Sequence, residues 1–235
     1  LFFIFDALNI DRTFIMHLAV GTSFAIIIPT SLVSVLTHKK HNSVDFNVLK
    51  TYGLFVIFGV ILGTLIAAMA QTKSLVLFFS IIVYCLGAYL LNMKDKINKL
   101  KSNFNLLPRI IFGILSGLIS ATMGIGGAIM NVPILRYFGY PINVAIGCSS
   151  GIGFMISLFG AIGFFISGYY LNADLPLSIG FVNIPAFLIF IPITTFMARV
   201  GANTVHNMNK IKAQRLFGVF LYVIGTIFIL RYFSI

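Results

Sequence analysis

Acidic side chains are almost missing from this sequence of 235 residues, which contains five Asp and no Glu, and only 9% of its residues are charged. A soluble domain carries about 25% charged and 45–50% apolar residues, whereas this chain is 59% hydrophobic with a mean hydropathy of +1.05. The composition indicates an integral membrane protein. Apolar runs such as 75–91 are continuous, which fits membrane helices and excludes the alternating strands of a membrane β-barrel.

Cysteine is scarce as well. Cys85 and Cys148 lie in apolar segments without C-x-x-C spacing, which excludes a disulfide framework and a zinc cluster. No Asp lies within a hydrophobic run, and only His17 is placed there for haem ligation. Intramembrane hydrolysis and haem chemistry need such groups, so we predict no enzymatic activity and no cofactor. The missing carboxylates also disfavour coupling to H⁺ or Na⁺, although backbone carbonyls can hold Na⁺.

Basic residues outnumber acidic ones by sixteen to five, which gives a net charge of +11. In a soluble protein this excess would suggest nucleic acid, but membrane proteins concentrate Lys and Arg on the cytoplasmic side, and we predict no nucleic-acid partner. Seven apolar runs are visible, at 13–36, 46–70, 74–93, 108–138, 143–167, 177–199 and 216–233. The polar stretch at 94–107 is the expected cytoplasmic linker between two hydrophobic halves.

The two halves resemble each other. His17–Ser23 (HLAVGTS) matches Asn143–Ser149 (NVAIGCS), and both halves end alike around Gly87 and Gly225. We therefore predict an all-α membrane protein of two repeats, 1–93 and 108–235, in one integral membrane domain. Since the chain opens within an apolar run and without Met, we expect that the N-terminal hairpin of the first repeat is missing.

The run at 108–138 is interrupted by Gly124-Ile-Gly126-Gly127 and by Pro133, which predicts a broken helix or a re-entrant hairpin. A hairpin would place thirteen of the sixteen Lys and Arg residues on one side of the membrane, whereas a single crossing would place nine there. The positive-inside rule therefore favours the hairpin. Each half then crosses the membrane three times, so the second repeat is inverted, as in secondary transporters.

The broken segment is the first candidate binding site. Irregular backbone at membrane depth must face protein or a wet cavity, and the amides of the half-helix after the break favour an anion. Asn131 adds a neutral donor, while tight packing is the alternative role for the glycines. The second candidate is the pair of motifs Gly21-Thr22-Ser23 and Gly147-Cys148-Ser149-Ser150, whose hydroxyls could converge on an oxyanion or bond their own helix carbonyls.

Two further residues stand at equivalent positions of the repeats, His17 and Asn143. His17 is the only titratable side chain near a motif. Its two alternative roles are an interfacial histidine and a proton relay. A small anion that leaves an inside-negative cell gains roughly 2.3 kcal/mol per charge per 100 mV. Export of a small anion therefore fits the missing carboxylates.

The order of these motifs resembles the sulfite exporter TauE/SafE family. The resemblance rests on GIGGAIMNVPIL at 124–135, GYP at 139–141, AIGCSS at 145–150 and, in the first half, AVGTS at 19–23. It implies a permease that moves sulfite, sulfoacetate or related organosulfur anions, usually outward across a bacterial inner membrane. Cys148 stands where the family commonly has Thr. The motif positions that carry over are Gly21, Thr22, Ser23, Gly124, Gly126, Gly127, Asn131, Pro133, Gly147, Cys148 and Ser149.

Three other functions stay open at this point. They are a passive anion channel, a non-catalytic membrane subunit and an importer of the same substrate class. The polar residues cluster at two motif pairs instead of forming a continuous lining, which disfavours a channel. The expected partners are a small anionic substrate and the lipid bilayer, and the sequence leaves the oligomeric state open.

Overall fold

The structure is a computed structural model that describes residues 1–92, 104–205 and 210–233. Within these ranges the chain is almost entirely helical, as predicted, and six helices are long and apolar enough to cross a membrane. Residues 94–103 of the predicted linker at 94–107 lie outside the described residues. The elements are α1 (Phe2–Ala7), α2 (Ile15–Lys40), α3 (Phe46–Met69), α4 (Thr72–Asn92), α5 (Leu106–Met123), α6 (Ala128–Tyr137), α7 (Ile142–Tyr170), β1 (Ser178–Ile179), β2 (Val182–Asn183), α8 (Ile184–Val205) and α9 (Lys210–Tyr232).

The long helices pack in antiparallel pairs. A Cβ placed on Gly160 of α7 would lie 2.8 Å from the ring of Phe24 on α2, and one placed on Gly151 would lie 3.3 Å from Val35. In the same way Gly225 of α9 packs on Tyr84 of α4, 2.8 Å from the ring. The helices α2 and α4 therefore run opposite to α7 and α9, which is the arrangement that inverted repeats require; the duplication itself stays a prediction.

This pairing gives the bundle two chemically different ends. We call the end that holds the C-terminus of α2 and the N-termini of α3 and α7 the basic end, and the other the opposite end. The Asp45 backbone N–H donates to Cys148 Sγ at 3.2 Å and joins α3 to α7 at the basic end. The described residues at the basic end include Lys39, Lys40, Lys50, Arg109, Arg136 and Arg199.

The break between α5 and α6 is a re-entrant hairpin. The ring of Phe138, just after α6, lies 4.4 Å from that of Phe104, just before α5. The chain therefore returns to the basic end from which α5 started, and the predicted hairpin is confirmed over Leu106–Met123 and Ala128–Tyr137. Pro133 lies inside α6 without ending it.

Close backbone contact fixes the hairpin in the bundle. A Cβ on Gly117 of α5 would overlap the Val56 carbonyl of α3, and a Cβ on Gly59 of α3 would overlap the Ile114 carbonyl of α5. Because neither residue has a side chain, the two helices approach to backbone contact, as small residues allow in membranes. This packing fixes the position of α5 against α3, and α6 packs on α7.

Candidate functional site

Three glycines form the turn of the hairpin, and all three have left-handed backbone. Their φ angles are +67° at Gly124, +72° at Gly126 and +74° at Gly127. Residues with a Cβ rarely adopt this conformation, so the glycines are needed to end α5 and restart the chain as α6. The first amides of α6 follow directly and have no carbonyl one turn earlier to accept their hydrogen bonds.

Asn131 braces this turn from inside the protein. Its Nδ2 donates to the Gly127 carbonyl at 2.7 Å, and its Oδ1 accepts from the Tyr52 hydroxyl at 2.7 Å and the Ser116 hydroxyl at 2.8 Å. The side chain is fully buried. We call Tyr52, Ser116 and Asn131 the clamp, since it ties α3, α5 and α6 to one carbonyl at the hairpin tip. The sequence predicted a donor to a substrate here, and the structure gives that amide a partner within the protein.

A cavity of about 230 Å³ lies against the hairpin tip. Gly124 and Ile125 of the turn form one wall, and Val20 and Ser23 of α2 form another. Among the described residues that line this cavity, Ser23 is the one with a side-chain hydroxyl. The others contribute apolar side chains or backbone. We call this space the tip cavity. It joins one predicted motif residue, Ser23, to one predicted glycine, Gly124.

The other members of the first motif have structural contacts. A Cβ on Gly21 would overlap the Phe181 carbonyl, so this glycine lets the β1–β2 turn approach α2. The Thr22 hydroxyl accepts from the Asn183 backbone N–H at 2.9 Å and fixes β2 to the same helix. Gly21 and Thr22 thus hold the segment that leads into α8, and Ser23 alone lines the tip cavity.

The second motif splits in the same manner. A Cβ on Gly147 would overlap the Ser43 carbonyl, Cys148 contacts Asp45, and Ser150 accepts from the Ser34 hydroxyl at 3.1 Å. Ser149 differs from all of these. Its hydroxyl is fully buried and has no hydrogen-bond partner in the part of the chain that the structure describes.

Ser149 lies on the face of α7 that meets the hairpin. Gly153, one turn further along, would place a Cβ 2.7 Å from the Gly126 carbonyl, and Ile156 reaches Gly127. Residues four and seven positions apart share one helix face. The unpartnered hydroxyl of Ser149 therefore lies one helical turn below the hairpin tip, toward the basic end.

The two motifs do not converge, contrary to what the sequence suggested. The antiparallel packing of α2 on α7 sets Gly21 beside Phe164 and Gly147 beside His38. Ser23 and Ser149 are thus separated by about 13 residues of helix, or roughly 20 Å along the axis at 1.5 Å per residue. The antiparallel direction of α2 and α7 is the physical reason, because the N-terminal turns of two antiparallel helices lie at opposite ends of the bundle.

His17 and Asn143 follow the same rule. His17 lies near the opposite end, where its Nε2 is 2.9 Å from the Ala67 carbonyl and its ring stacks on Phe181 at 5.2 Å. Asn143 lies in the first turn of α7 at the basic end, and its buried Oδ1 has no hydrogen-bond partner among the described residues. His17 joins α2 to the end of α3, and neither residue lines the tip cavity.

Several polar residues escaped the sequence analysis. Tyr52 and Ser116 of the clamp were not predicted, and neither were two hydroxyl pairs that cross between helices. Thr30 of α2 lies 2.9 Å from Thr194 of α8, and Ser34 lies 3.1 Å from Ser150. The signal that could have found the α2 members is their spacing, since Ser23, Thr30 and Thr37 recur every seven residues and so share one helix face.

Comparison with known proteins agrees with this architecture. A family model described as sulfite exporter TauE/SafE matches residues 1–228. A probable membrane transporter protein of Haemophilus influenzae is 28% identical over 227 residues, which cover 96% of this chain and 85% of the relative. Another, of Methanocaldococcus jannaschii, is 28% identical over 205 residues, which cover 85% of this chain and 73% of the relative. No solved structure matches the chain. Because the family model spans almost its whole length, this chain belongs to the sulfite exporter TauE/SafE family.

Proposed function

We propose that this membrane transporter carries a small oxyanion, sulfite or an organosulfur anion such as sulfoacetate, and that it binds the anion at the tip cavity. The observation that carries the proposal is the glycine turn, where the left-handed Gly124 and its neighbour Ile125 line a space of about 230 Å³ together with Ser23. Backbone amides and a hydroxyl recognise an oxyanion without a charged residue. The half-helix α6 begins three residues after Ile125, and its positive end favours negative charge nearby.

The absence of charged side chains among the described residues that line the tip cavity supports transport over tight binding. Its lining contains neither Lys nor Arg, so an anion held there by neutral donors is not trapped by an ion pair in a medium of low dielectric constant. Such a site can release its ligand to either side when the surrounding helices move. Alternating access around a central broken helix is the mechanism that this arrangement favours.

The charge distribution supports export across a bacterial inner membrane. The positive-inside rule assigns the basic end to the cytoplasm, together with the predicted linker at 94–107. An anion that leaves the cell then moves toward the positive side and gains roughly 2.3 kcal/mol per charge per 100 mV. Outward transport therefore needs no acidic residue for ion coupling within the membrane, and the sequence has none there.

Flux through the purified protein in proteoliposomes tests this proposal. We expect saturable transport of radiolabelled sulfite, inhibited by sulfoacetate and not by acetate. Flux that stays linear with concentration would indicate a passive channel instead. Absence of flux for every anion tested, in protein that is folded, would favour a non-catalytic membrane subunit and overturn the proposal. Imposing the membrane potential in each direction separates an exporter from an importer.

Two substitutions test the site itself. Ser23→Ala removes the hydroxyl that lines the tip cavity, and we expect it to raise the KM for sulfite by about threefold to tenfold, which corresponds to one neutral hydrogen bond. Ser149→Ala should leave the KM near the wild-type value, because Ser149 does not line the tip cavity and lies roughly 20 Å from Ser23 along the helix axis. Ser80→Ala is the control for loss of a serine hydroxyl away from the cavity, because the Ser80 hydroxyl bonds the Val76 carbonyl of its own helix. A wild-type KM in Ser23→Ala would refute the assignment of this serine.

A further inference from the structure

A second and larger cavity opens at the basic end, between α2 and α8. Its volume is about 710 Å³, and Lys39, Lys40 and Arg199 contribute three positive charges to its lining, while none of the described residues that line it is acidic. The carbonyls at the C-terminus of α2 oppose this field with only about half an elementary charge. We call this space the basic cavity, and its electrostatics select an anion.

One face of α2 leads from the basic cavity to the tip cavity. Thr37 lines the basic cavity, Ser23 lines the tip cavity, and Thr30 lies midway between them. Seven residues make almost two full helical turns, so the three hydroxyls stand in one row along the helix. The distance from Thr37 to Ser23 is roughly 21 Å at 1.5 Å per residue.

A hydrogen-bonded pair closes this row at its middle. The Thr30 hydroxyl of α2 lies 2.9 Å from the Thr194 hydroxyl of α8, and both side chains are half-buried. Each hydroxyl also lies 2.8 Å from a carbonyl of its own helix, that of Ile26 or of Phe190. Neither hydroxyl would lose all its partners if the pair separated, so opening this pair leaves no hydroxyl without a hydrogen bond.

We propose that the basic cavity binds the transported oxyanion, that the hydroxyl face of α2 conducts it to the tip cavity, and that the Thr30–Thr194 pair closes this path in the present conformation. The inference rests on the proposed function and adds a second anion site and a gate to it. A phosphate headgroup of an anionic lipid shares the chemistry of the transported anion, and the apolar wall at Val33 and Leu36 would suit its acyl chains. The experiment below separates the two sources.

Binding to the basic cavity can be measured without transport. The sequence contains no Trp, so Leu36→Trp introduces a single indole into the wall of the basic cavity, where Leu36 is 50% exposed. Sulfite added to this variant in neutral detergent, at constant ionic strength, should give a saturable fluorescence change. Arg199→Gln in the same background should weaken the apparent Kd about tenfold, as expected for loss of one charge-assisted hydrogen bond.

The controls for this titration come from the same end of the protein. Lys50→Gln removes an exposed charge of α3 that does not line the basic cavity, and it should leave the Kd unchanged. If Lys50→Gln weakened sulfite binding as much as Arg199→Gln does, the anion would be attracted by the positive charge of the whole surface. That result would overturn the proposed site. A change produced by phosphatidylglycerol and not by sulfite would make the basic cavity a lipid site and overturn the proposal as well.

The gate is tested by bridging it. Thr30→Cys and Thr194→Cys, combined, place two thiols at hydrogen-bonding separation, and dibromobimane joins them through thioethers that sulfite does not cleave. We expect the bridged double variant to lose at least nine-tenths of the sulfite flux that it shows before dibromobimane is added, while each single variant should lose a much smaller share of its own untreated flux. Cys85 and Cys148 are present in all three proteins and therefore cancel in the comparison.

The outcomes distinguish this inference from the proposed function. Undiminished flux through fully bridged protein would refute the gate while leaving the transporter intact. If unbridged protein carries no anion at all, the proposed function fails, and the Trp titration still decides whether the basic cavity binds sulfite. Saturable binding together with a flux that bridging abolishes supports the complete path.

Discussion

Removing the side chain of Asn131 should loosen the hairpin more than it weakens any contact with a substrate. Asn131→Ala deletes three buried hydrogen bonds, to Tyr52, Ser116 and Gly127, of 2.7 to 2.8 Å. Hydrogen bonds between membrane helices contribute about 0.6 kcal/mol each, so the three amount to about 2 kcal/mol. The Tyr52 hydroxyl can still reach the Phe112 carbonyl at 3.3 Å, which limits the loss. At about 2–4 °C per kcal/mol for a chain of this size, we expect the Tm to fall by roughly 4–8 °C.

A thiol-reactive dye reports this unfolding directly. Cys148 is fully buried while Cys85 is exposed, so in a Cys85→Ala background the dye reacts only when the bundle opens. Asn92→Ala is the matched control, because the Asn92 amide is exposed and bonds only its own helix. Tyr52→Phe should cost about 0.6 kcal/mol alone and less when Asn131 is already Ala, since the bond to Asn131 is then absent and only the longer one to the Phe112 carbonyl is left to lose. A Tm for Asn131→Ala within 1 °C of wild type, or an unchanged effect of Tyr52→Phe in that background, would refute the clamp.

Three further substitutions test the packing of individual residues through the stability of the folded protein. Gly147→Ala should lower the free energy of unfolding by 1–3 kcal/mol or more, because its Cβ would overlap the Ser43 carbonyl; an unchanged midpoint in denaturant titration would contradict the close approach. Gly201→Ala meets nothing within 4 Å and should equal or slightly exceed the wild-type midpoint, since Ala favours helix. Ser149→Ala should leave stability unchanged or raise it by up to about 1 kcal/mol, because it removes a buried hydroxyl without a partner; a clear loss of stability in the same titration would mean that the hydroxyl is bonded in the folded protein.

The sequence predicted the hairpin because its cause is local. Glycines at 124, 126 and 127 are each needed for a left-handed φ, and a turn of that kind can be read from three residues in a short window. The distribution of Lys and Arg then distinguished a returning chain from a crossing one. The glycines set the local backbone conformation, and the charge distribution sets the side of the membrane on which each segment ends. Neither signal depends on which helices are neighbours.

The contacts of the motif residues were not predictable in this way. A pattern of hydroxyls gives the face of a helix, but the partner on that face depends on packing between residues far apart in the chain. Thr30 and Thr194 are 164 positions apart, and Thr22 meets the backbone of Asn183 from 161 positions away. Convergence of the two motifs, one of the two alternatives that the sequence left open, does not occur for a related reason, since both motifs lie near the starts of helices that pack antiparallel.

The division of charge between the two cavities explains how one path could both collect and release an anion. Arg199 and the lysines lie at the rim and raise the local concentration of anions. Because water and salt screen these charges, no anion is held there for long. A charged residue placed at the hairpin tip would instead bind the anion in a medium of low dielectric constant, and release would then require breaking a buried ion pair. Neutral donors at Ser23 and the glycine turn avoid that barrier. On the proposed path, selection by charge therefore occurs at the basic cavity, and passage through the membrane depends on groups that carry no charge.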